Sequence, residues 1–307
     1  MSATYCVIGS INMDLVAGVD RFPRPGESRV GHTFGTYPGG KGANQAVALA
    51  RLGAQVMMAG KLGDDTFGQD YLEVFRDEGI DPSLIEVDPE AATGVAVIEV
   101  DDTGENHIVV VPGANMTLDA AYIEARTSAI SAADVALFQL EIPLEADRAG
   151  LALMKKAGKI TILDPAPAPR EPVPRAILTL ADYVTPNETE ARELTGISVT
   201  DQDSALEAGR HLQKQGAGTV IIKAGPHGAY IVDAHGIRHI PGFSVTAADT
   251  TAAGDAFNAG FAFALGEGGS LDEAVRHANA VGALACTRLG AQSALPRRDE
   301  VEALRNG

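Results

Sequence analysis

Cysteine is scarce. The 307 residues hold two, Cys6 in TYCVIG and Cys286 in ALACTR. Both read as small buried hydrophobes, which leaves no disulfide framework. Neither C-x-x-C nor H-E-x-x-H occurs, so zinc chemistry is not expected. Long apolar runs are also missing. None reaches the roughly 18 residues that a membrane span needs. The opening MSATYCVIGS has no basic region, so no signal peptide is expected. These absences describe a soluble cytoplasmic protein with no membrane partner. Basic residues are few as well: 24 Lys and Arg stand against 41 Asp and Glu, a net charge of −17. Such a surface repels nucleic-acid phosphates, so no nucleic-acid partner is expected. It also gives an anionic substrate no overall attraction, and any phosphate must be held by a local device.

The chain is rich in apolar residues, at 45%, ample for one large α/β domain or two smaller ones. Short β-branched runs read as buried strands: TYCVIGS (4–10), QVMMAG (55–60), DVALFQL (134–140), KITILD (159–164), DYVTP (182–186) and GTVIIKAG (218–225). Amphipathic stretches such as NQAVALARLG, DAAYIEARTSAIS and DSALEAGRHLQKQG lie between most of them. The alternation predicts an α/β fold, a mainly parallel central sheet with helices on both faces. Sites in such sheets form at the carboxyl ends of the strands. Residues 14–37 and 93–112 break the alternation. In the second, TGVAVIEV and NHIVVV flank the turn DDTGE, a β-hairpin pattern. These extra strands predict a small lid sheet or a dimerisation surface, with an edge hairpin of the main sheet as the alternative. The proline-dense segment DPAPAPREPVP (164–174) reads as a rigid loop inside one domain spanning 1–307.

Two glycine-rich stretches carry the chemistry. Residues 35–45, GTYPGGKGANQ, match G-x-x-x-x-G-K through Gly35, Gly40 and Lys41. A phosphate loop would continue with Ser or Thr to bind magnesium, and here Gly42 follows. Residues 249–258, DTTAAGDAFN, precede a helical pattern. The unpaired N–H groups of Ala252, Ala253 and Gly254 at that helix start form an anion site without a lysine. Asp255 in this place is either a helix N-terminal carboxylate or a base that takes a proton from an attacking hydroxyl.

These two stretches, together with GSINMD (9–14), TGV (93–95), PGAN (112–115), QLE (139–141), TPNETEA (185–191), KAGPHG (223–228) and TRLGAQ (287–292), resemble the ribokinase (PfkB-type) family of carbohydrate kinases. The resemblance covers essentially the whole chain and looks closest to the ribokinases within that family. It implies a ribokinase-like three-layer sandwich, its lid strands inserted at about 14–37 and 93–112. It implies ATP-dependent phosphorylation of the 5-hydroxyl of D-ribose, with Asp255 as base and the Ala252–Asp255 amides as an anion hole. Relatives with another acceptor (deoxyribose, fructose or a nucleoside) and a catalytically silent sugar-binding protein are the competing readings.

The resemblance puts GGKGAN over the sugar. Gly40 and Gly42 would let main-chain amides approach its hydroxyls, Asn44 would bind a diol, and Lys41 would help neutralise the transferred phosphoryl group. Asp14, Asn12 and Glu141 would grip the remaining hydroxyls. Met13 would fill core or reshape the pocket. Asn187 and Glu190 share a helix face at i, i+3 and would order Mg2+ and phosphate through water; as a plain cap and its box partner they would simply start a helix. Lys223, Gly225 and Gly228 would lie against the nucleotide, and Asn279 would border the adenine. A K+ site would draw on Asp249, Thr251 and the carbonyls of Ala285, Arg288 and Gly290. Ser293 stands one residue earlier than the serine the family offers there. The lid strands leave an exposed β edge and suggest a homodimer.

Overall fold

The computed structural model describes residues 2–169 and 171–306. Its strands are β1 (Thr4–Ile8), β2 (Asn12–Gly18), β3 (Thr33–Gly39), β4 (Gln55–Gly63), β5 (Ile85–Asp88), β6 (Gly94–Val100), β7 (Asn106–Val111), β8 (Val135–Gln139), β9 (Ile160–Asp164), β10 (Tyr183–Val184), β11 (Thr219–Lys223), β12 (Ala229–Asp233) and β13 (Gly236–Ile240). The helices are α1 (Lys41–Arg51), α2 (Thr66–Asp77), α3 (Ala120–Ala125), α4 (Thr127–Ile130), α5 (Leu144–Lys156), α6 (Arg175–Leu178), α7 (Glu188–Thr195), α8 (Gln202–Gln215), α9 (Ala253–Gly266), α10 (Leu271–Ala285) and α11 (Arg298–Asn306).

Nine strands form one sheet in the order β13-β12-β11-β10-β9-β8-β1-β4-β5. From β11 to β5 every pairing is parallel. Alternation along the strands explains the layers. Tyr5 and Val7 of β1 face a core shared with α1, α2, α9, α10 and α11. Cys6 and Ile8 face the opposite core, with α3, α5, α7 and α8. This is the three-layer α/β arrangement expected. No helix of the described residues is long and apolar enough to cross a membrane.

Three details differ from the reading of the sequence. The antiparallel hairpin β12–β13, of sequence AYIVDAHGIRHI, extends the main sheet at one edge. The stretch 119–131 is two short helices, α3 and α4, broken at Arg126, whose guanidinium lies 3.9 Å from the Tyr122 ring centre. Cys286 is half-buried, whereas Cys6 is fully buried. In segment 164–174, residue 170 lies outside the described residues, Asp164 ends β9, and the others form a loop that leads to α6.

A separate four-stranded sheet runs β3-β2-β6-β7. β2 pairs antiparallel with β3 and parallel with β6, and β7 returns antiparallel along β6. Both irregular stretches of the sequence thus meet in one small sheet, distinct from the main one. Its strand β2 leaves β1 through Ser10 and Ile11, so the small sheet rises directly from the carboxyl end of a central strand.

Candidate active site

The parallel strands deliver polar residues to one edge of the sheet. Ser10 follows β1, Glu141 follows β8, Asp164 ends β9, Asn187 follows β10 and Lys223 ends β11. Helices α1 and α9 start at the same edge, and their mutual packing brings Asn44 and Asp255 together.

The glycines of residues 39–42 are dictated by main-chain crowding. Gly40 has φ 87°, and a Cβ there would stand 2.6 Å from the Asn12 nitrogen. A Cβ at Gly42 would stand 2.8 Å from both the nitrogen and the oxygen of Ser10. The turn is therefore pressed onto residues 9–12. Its amides are already engaged: Ala43 N donates to Ser10 O (3.0 Å), Gly42 N to Ser10 Oγ and Lys41 N to Glu141 Oε2 (both 3.4 Å). Gly40 and Gly42 thereby lock β1 to α1.

The residues expected on the sugar side surround this turn. The Asp14 carboxyl lies over Gly39, where an added Cβ would meet it at 2.3–2.5 Å. Burial, then repulsion from Glu141 and Asp255, raises the Asp14 pKa to about 7. Asn12 is buried, and its Oδ1 accepts from Asn115 Nδ2 at 2.8 Å. Asn115 also grips the Ile11 backbone at both N (2.9 Å) and O (3.1 Å). Glu141 Oε2 accepts from Ser10 Oγ at 2.5 Å. Met13 points to the core on the other face of β2 and is 4% exposed.

Asp255 sits in the first turn of α9 and is buried. Its Oδ2 accepts from Asn44 Nδ2 (2.9 Å) and its Oδ1 from Gln45 Nε2 (3.1 Å). Burial raises its pKa to about 6, against the pull of Lys41 and those two hydrogen bonds. Burial alone would lower the Lys41 pKa, but Asp255, Glu141, Asp164 and Glu190 outweigh it and hold the ammonium charged. Ala252, the N-cap of α9, has φ 59°, the single non-glycine residue with positive φ among those described. Such a conformation costs an alanine about 1–2 kcal/mol. It turns the chain so that the N–H groups of Ala252, Gly254 and Asp255 find no protein acceptor among the described residues. The fourth, Ala253 N, donates to Thr250 O at 3.2 Å.

On the other side, Lys223 Nζ donates to Asp164 Oδ1 (2.9 Å) and lies 3.9 Å from Glu190 Oε2. A Cβ at Gly254 would stand 3.5 Å from Lys223 Nζ, so this ammonium borders the start of α9. Asn187 and Glu190 form a complete capping box for α7, with Asn187 N donating to Glu190 Oε2 at 2.7 Å. Gly225 (φ 50°) is open to solvent, whereas Gly228 (φ 95°) is packed on the Ile240 carbonyl. Asn279 is buried, and its Nδ2 donates to the carbonyls of Ile240 and Pro241, both at 3.1 Å, so its donors hold the end of β13.

The segments expected around K+ do lie together. Ala248 N and Asp249 N donate to Cys286 O (2.7 and 3.2 Å), and Gly290 N donates to Asp249 Oδ2 (2.8 Å). Asp249 Oδ1 accepts from Thr251 N and Oγ1, at 2.9 and 2.7 Å. Ser293 is exposed, and its hydroxyl donates to Leu289 O at 2.9 Å. Ala285 ends α10 and Arg288 pairs with Glu300 on the surface.

Several residues of the site carry no label in the sequence motifs. Gln45, Gln139 and Asp164 form a buried polar cluster under Asp255. Tyr71 donates to Gly39 O and accepts from Gln292 Nε2, which ties the TRLGAQ stretch to the glycine turn. Gln45, Gln139 and Gln292 stood inside quoted motifs, and their polarity amid apolar runs was the available signal.

The profile of the pfkB family carbohydrate kinases matches residues 2–298. The chain is 43% identical to the ribokinase of Haemophilus influenzae, over 98% of this chain and 97% of that one. A ribokinase structure from Thermotoga maritima superposes with a TM-score of 0.90 at 38% identity, over 99% of this chain and 100% of that one. An Arabidopsis thaliana ribokinase complexed with ribose and ATP superposes with a TM-score of 0.93 at 32% identity, over 99% of both chains. The chain belongs to the pfkB family of carbohydrate kinases.

Proposed function

We propose that this protein transfers the γ-phosphoryl group of ATP to the 5-hydroxyl of D-ribose, giving ribose 5-phosphate and ADP. The observation that carries this reading is the buried Asp255, aligned by Asn44 at 2.9 Å and flanked by unpaired amides at the start of α9. The near full-length likeness to ribokinases, one of them holding ribose and ATP, supports the choice of substrates.

Asp14, Asn12, Asn44 and Glu141 bind the sugar hydroxyls beside the Gly40–Gly42 turn. Asn44 Oδ1 is buried without a partner among the described residues and can accept from a hydroxyl. Asp255 takes the proton of the 5-hydroxyl as that oxygen attacks the γ-phosphorus. The bond to the β,γ-bridging oxygen breaks and ADP leaves. Lys41 and the N–H groups of Ala252, Gly254 and Asp255 stabilise the charge on the transferring group, which needs no reorganisation in a preformed anion site.

ATP lies across the ends of β10 and β11, near Lys223, Gly225 and Gly228, with Asn279 reaching it only through its Oδ1. Magnesium fits at Glu190 through water. Both carboxylate oxygens already take one hydrogen bond from Asn187, at 2.7 and 2.8 Å, and each keeps a lone pair suited to a metal-bound water. The ion would neutralise charge on the β- and γ-phosphates. Potassium fits beside Asp249 and Thr251, with carbonyls of Ala285, Arg288 and Gly290, since those two segments are already hydrogen-bonded together. Ser293 enters such a set only after releasing Leu289 O.

The chain acts as one kinase unit over 1–307. The small sheet is its lid, and closure excludes water from the transfer. The same sheet pairs two copies into a homodimer: Ile108, Val109 and Val110 of β7 are exposed, Val109 by 62%, and Phe34 of β3 by 71%. Light scattering tests that assembly. A cytoplasmic setting fits an ATP-consuming enzyme. The deciding experiment is ATP-dependent phosphorylation across D-ribose, 2-deoxyribose, fructose and nucleosides, with and without K+. Ribose is expected to win. A better deoxyribose or nucleoside signal replaces the acceptor, and no transfer to any of them refutes the reading.

A further inference from the structure

Gln45 is fully buried in α1, one residue after Asn44. A leucine or methionine would fill such a core position without the cost of burying an amide. The two hydrogens of its Nε2 divide between two carboxylates, Asp255 Oδ1 at 3.1 Å and Asp164 Oδ2 at 3.3 Å. Both acids are buried. Carboxylate oxygens accept only, so the Gln45 amide has one possible orientation, with Oε1 turned away from them.

That Oε1 accepts from Gln139 Nε2 at 2.8 Å. Gln139 ends β8, and its own Oε1 packs where a Cβ at Gly9 would stand 1.9 Å away. Gly9 therefore leaves the space that the Gln139 amide occupies. The result is a continuous chain of hydrogen bonds. It runs Asn44–Asp255–Gln45–Asp164–Lys223 from the sugar side to the nucleotide side, with Gln139 bracing its middle.

We propose that Gln45, locked by Gln139, is a positioning residue that fixes the Asp255 carboxylate and shields it from Asp164. This rests on the kinase reading given above. Two buried carboxylates side by side favour protonation of one of them. An amide that donates to both stabilises both as anions, and a base must be an anion to accept the proton. The charged groups around Asp255 are Lys41 of α1, Asp14 of β2 and Asp164 of β9, with Lys223 of β11 on the far side of Asp164. Gln45 is the neutral link among them. It is fully buried and its amide is spent on Asp255, Asp164 and Gln139, so its removal acts through Asp255.

The test compares Gln45→Met and Gln139→Met with the parent in ribose phosphorylation from pH 5 to 9. Gln45→Met is expected to lower kcat by about 10- to 100-fold, the loss of a hydrogen bond to a charged group. The KM for ribose and ATP should stay within about twofold, the mark of a group that acts in the chemical step. The acid limb of the kcat profile should move to higher pH. Gln139→Met, which contacts neither acid, should shift both quantities in the same direction by less. Folded variants, by thermal melting, with the parent's kcat and acid limb would overturn the proposal. So would a loss confined to KM. If Gln45→Met fails to fold, Gln139→Met carries the test with the same two outcomes. A parent that does not phosphorylate ribose refutes the kinase reading itself, whereas an active parent with unmoved variants refutes only the role of Gln45.

Discussion

Asn44 Nδ2 and Asp255 Oδ2 lie 2.9 Å apart, joined across 211 residues of sequence where α1 and α9 start side by side. On the proposed function, the contact gives Asn44 two tasks, aligning the base and presenting Oδ1 to a sugar hydroxyl. Asn44→Ala removes both. It is expected to lower kcat/KM for ribose by about 100-fold or more, through a higher KM and a lower kcat together. Steady-state kinetics separate this from a purely structural role, which would leave the balance of ribose and ATP constants unchanged.

The pH dependence has a stated sign. Burial lifts Asp255 to about 6, and Asp14 stands near 7. In the proposed mechanism both act as acceptors, so kcat/KM for ribose should fall as the pH drops through this range. Lys41 lowers the Asp255 pKa. Lys41→Met should therefore shift the acid limb to higher pH in addition to reducing kcat. A limb that stays in place, or moves down, would show that Lys41 does not face the base.

Asp14 carries a cost in stability that its proposed role in binding the sugar would explain. Its folded pKa lies above the ordinary carboxylate value because burial and two neighbouring acids oppose its charge. Its contribution to stability is thus present below about pH 4 and is lost as the pH rises through about 7. Asp14→Asn should raise the stability of the sugar-free protein at pH 8 by about 1–3 kcal/mol and match the parent at pH 4. Urea melts at the two pH values, with ribose binding measured beside them, check the trade.

Gly40 joins β3 to α1 with φ 87°, and its Cβ direction runs into the Asn12 nitrogen at 2.6 Å. Gly40→Ala is expected to cost about 2–4 kcal/mol, from the left-handed backbone and the clash together. Because Asn12 and Asp14 share that segment, the KM for ribose should rise with the loss of stability. A variant with unchanged melting would mean that the turn is far looser than the packing implies.

The layers, the parallel order and the small sheet were legible because they rest on local patterning: alternating apolar runs, helical spacing and one clear turn at DDTGE. The motif residues Asn12, Asp14, Lys41, Asn44, Glu141 and Asp255 meet in one place because they stand at the start of β2, just past the end of β8, or in the first turn of α1 or α9. What stayed hidden is what only tertiary pairing creates. Gln45 and Gln139 are 94 residues apart and make sense only as a pair. Tyr71 and Gln292 are separated by 221 residues and meet at Gly39. Nothing in HANAVG signals that the donors of Asn279 close the end of β13. Gly40 and Gly42 were noticed for their small size, but the backbone they accommodate lies 30 residues earlier, in the 9–12 segment.

The central claim is that Asp255 takes the proton of the attacking hydroxyl. The most direct measurement pairs ribose binding by calorimetry with ribose phosphorylation by a coupled assay, for the parent and for Asp255→Asn. The account predicts ribose binding within about tenfold of the parent and a kcat lower by about 100-fold or more. An Asp255→Asn variant that phosphorylates ribose as fast as the parent would contradict it.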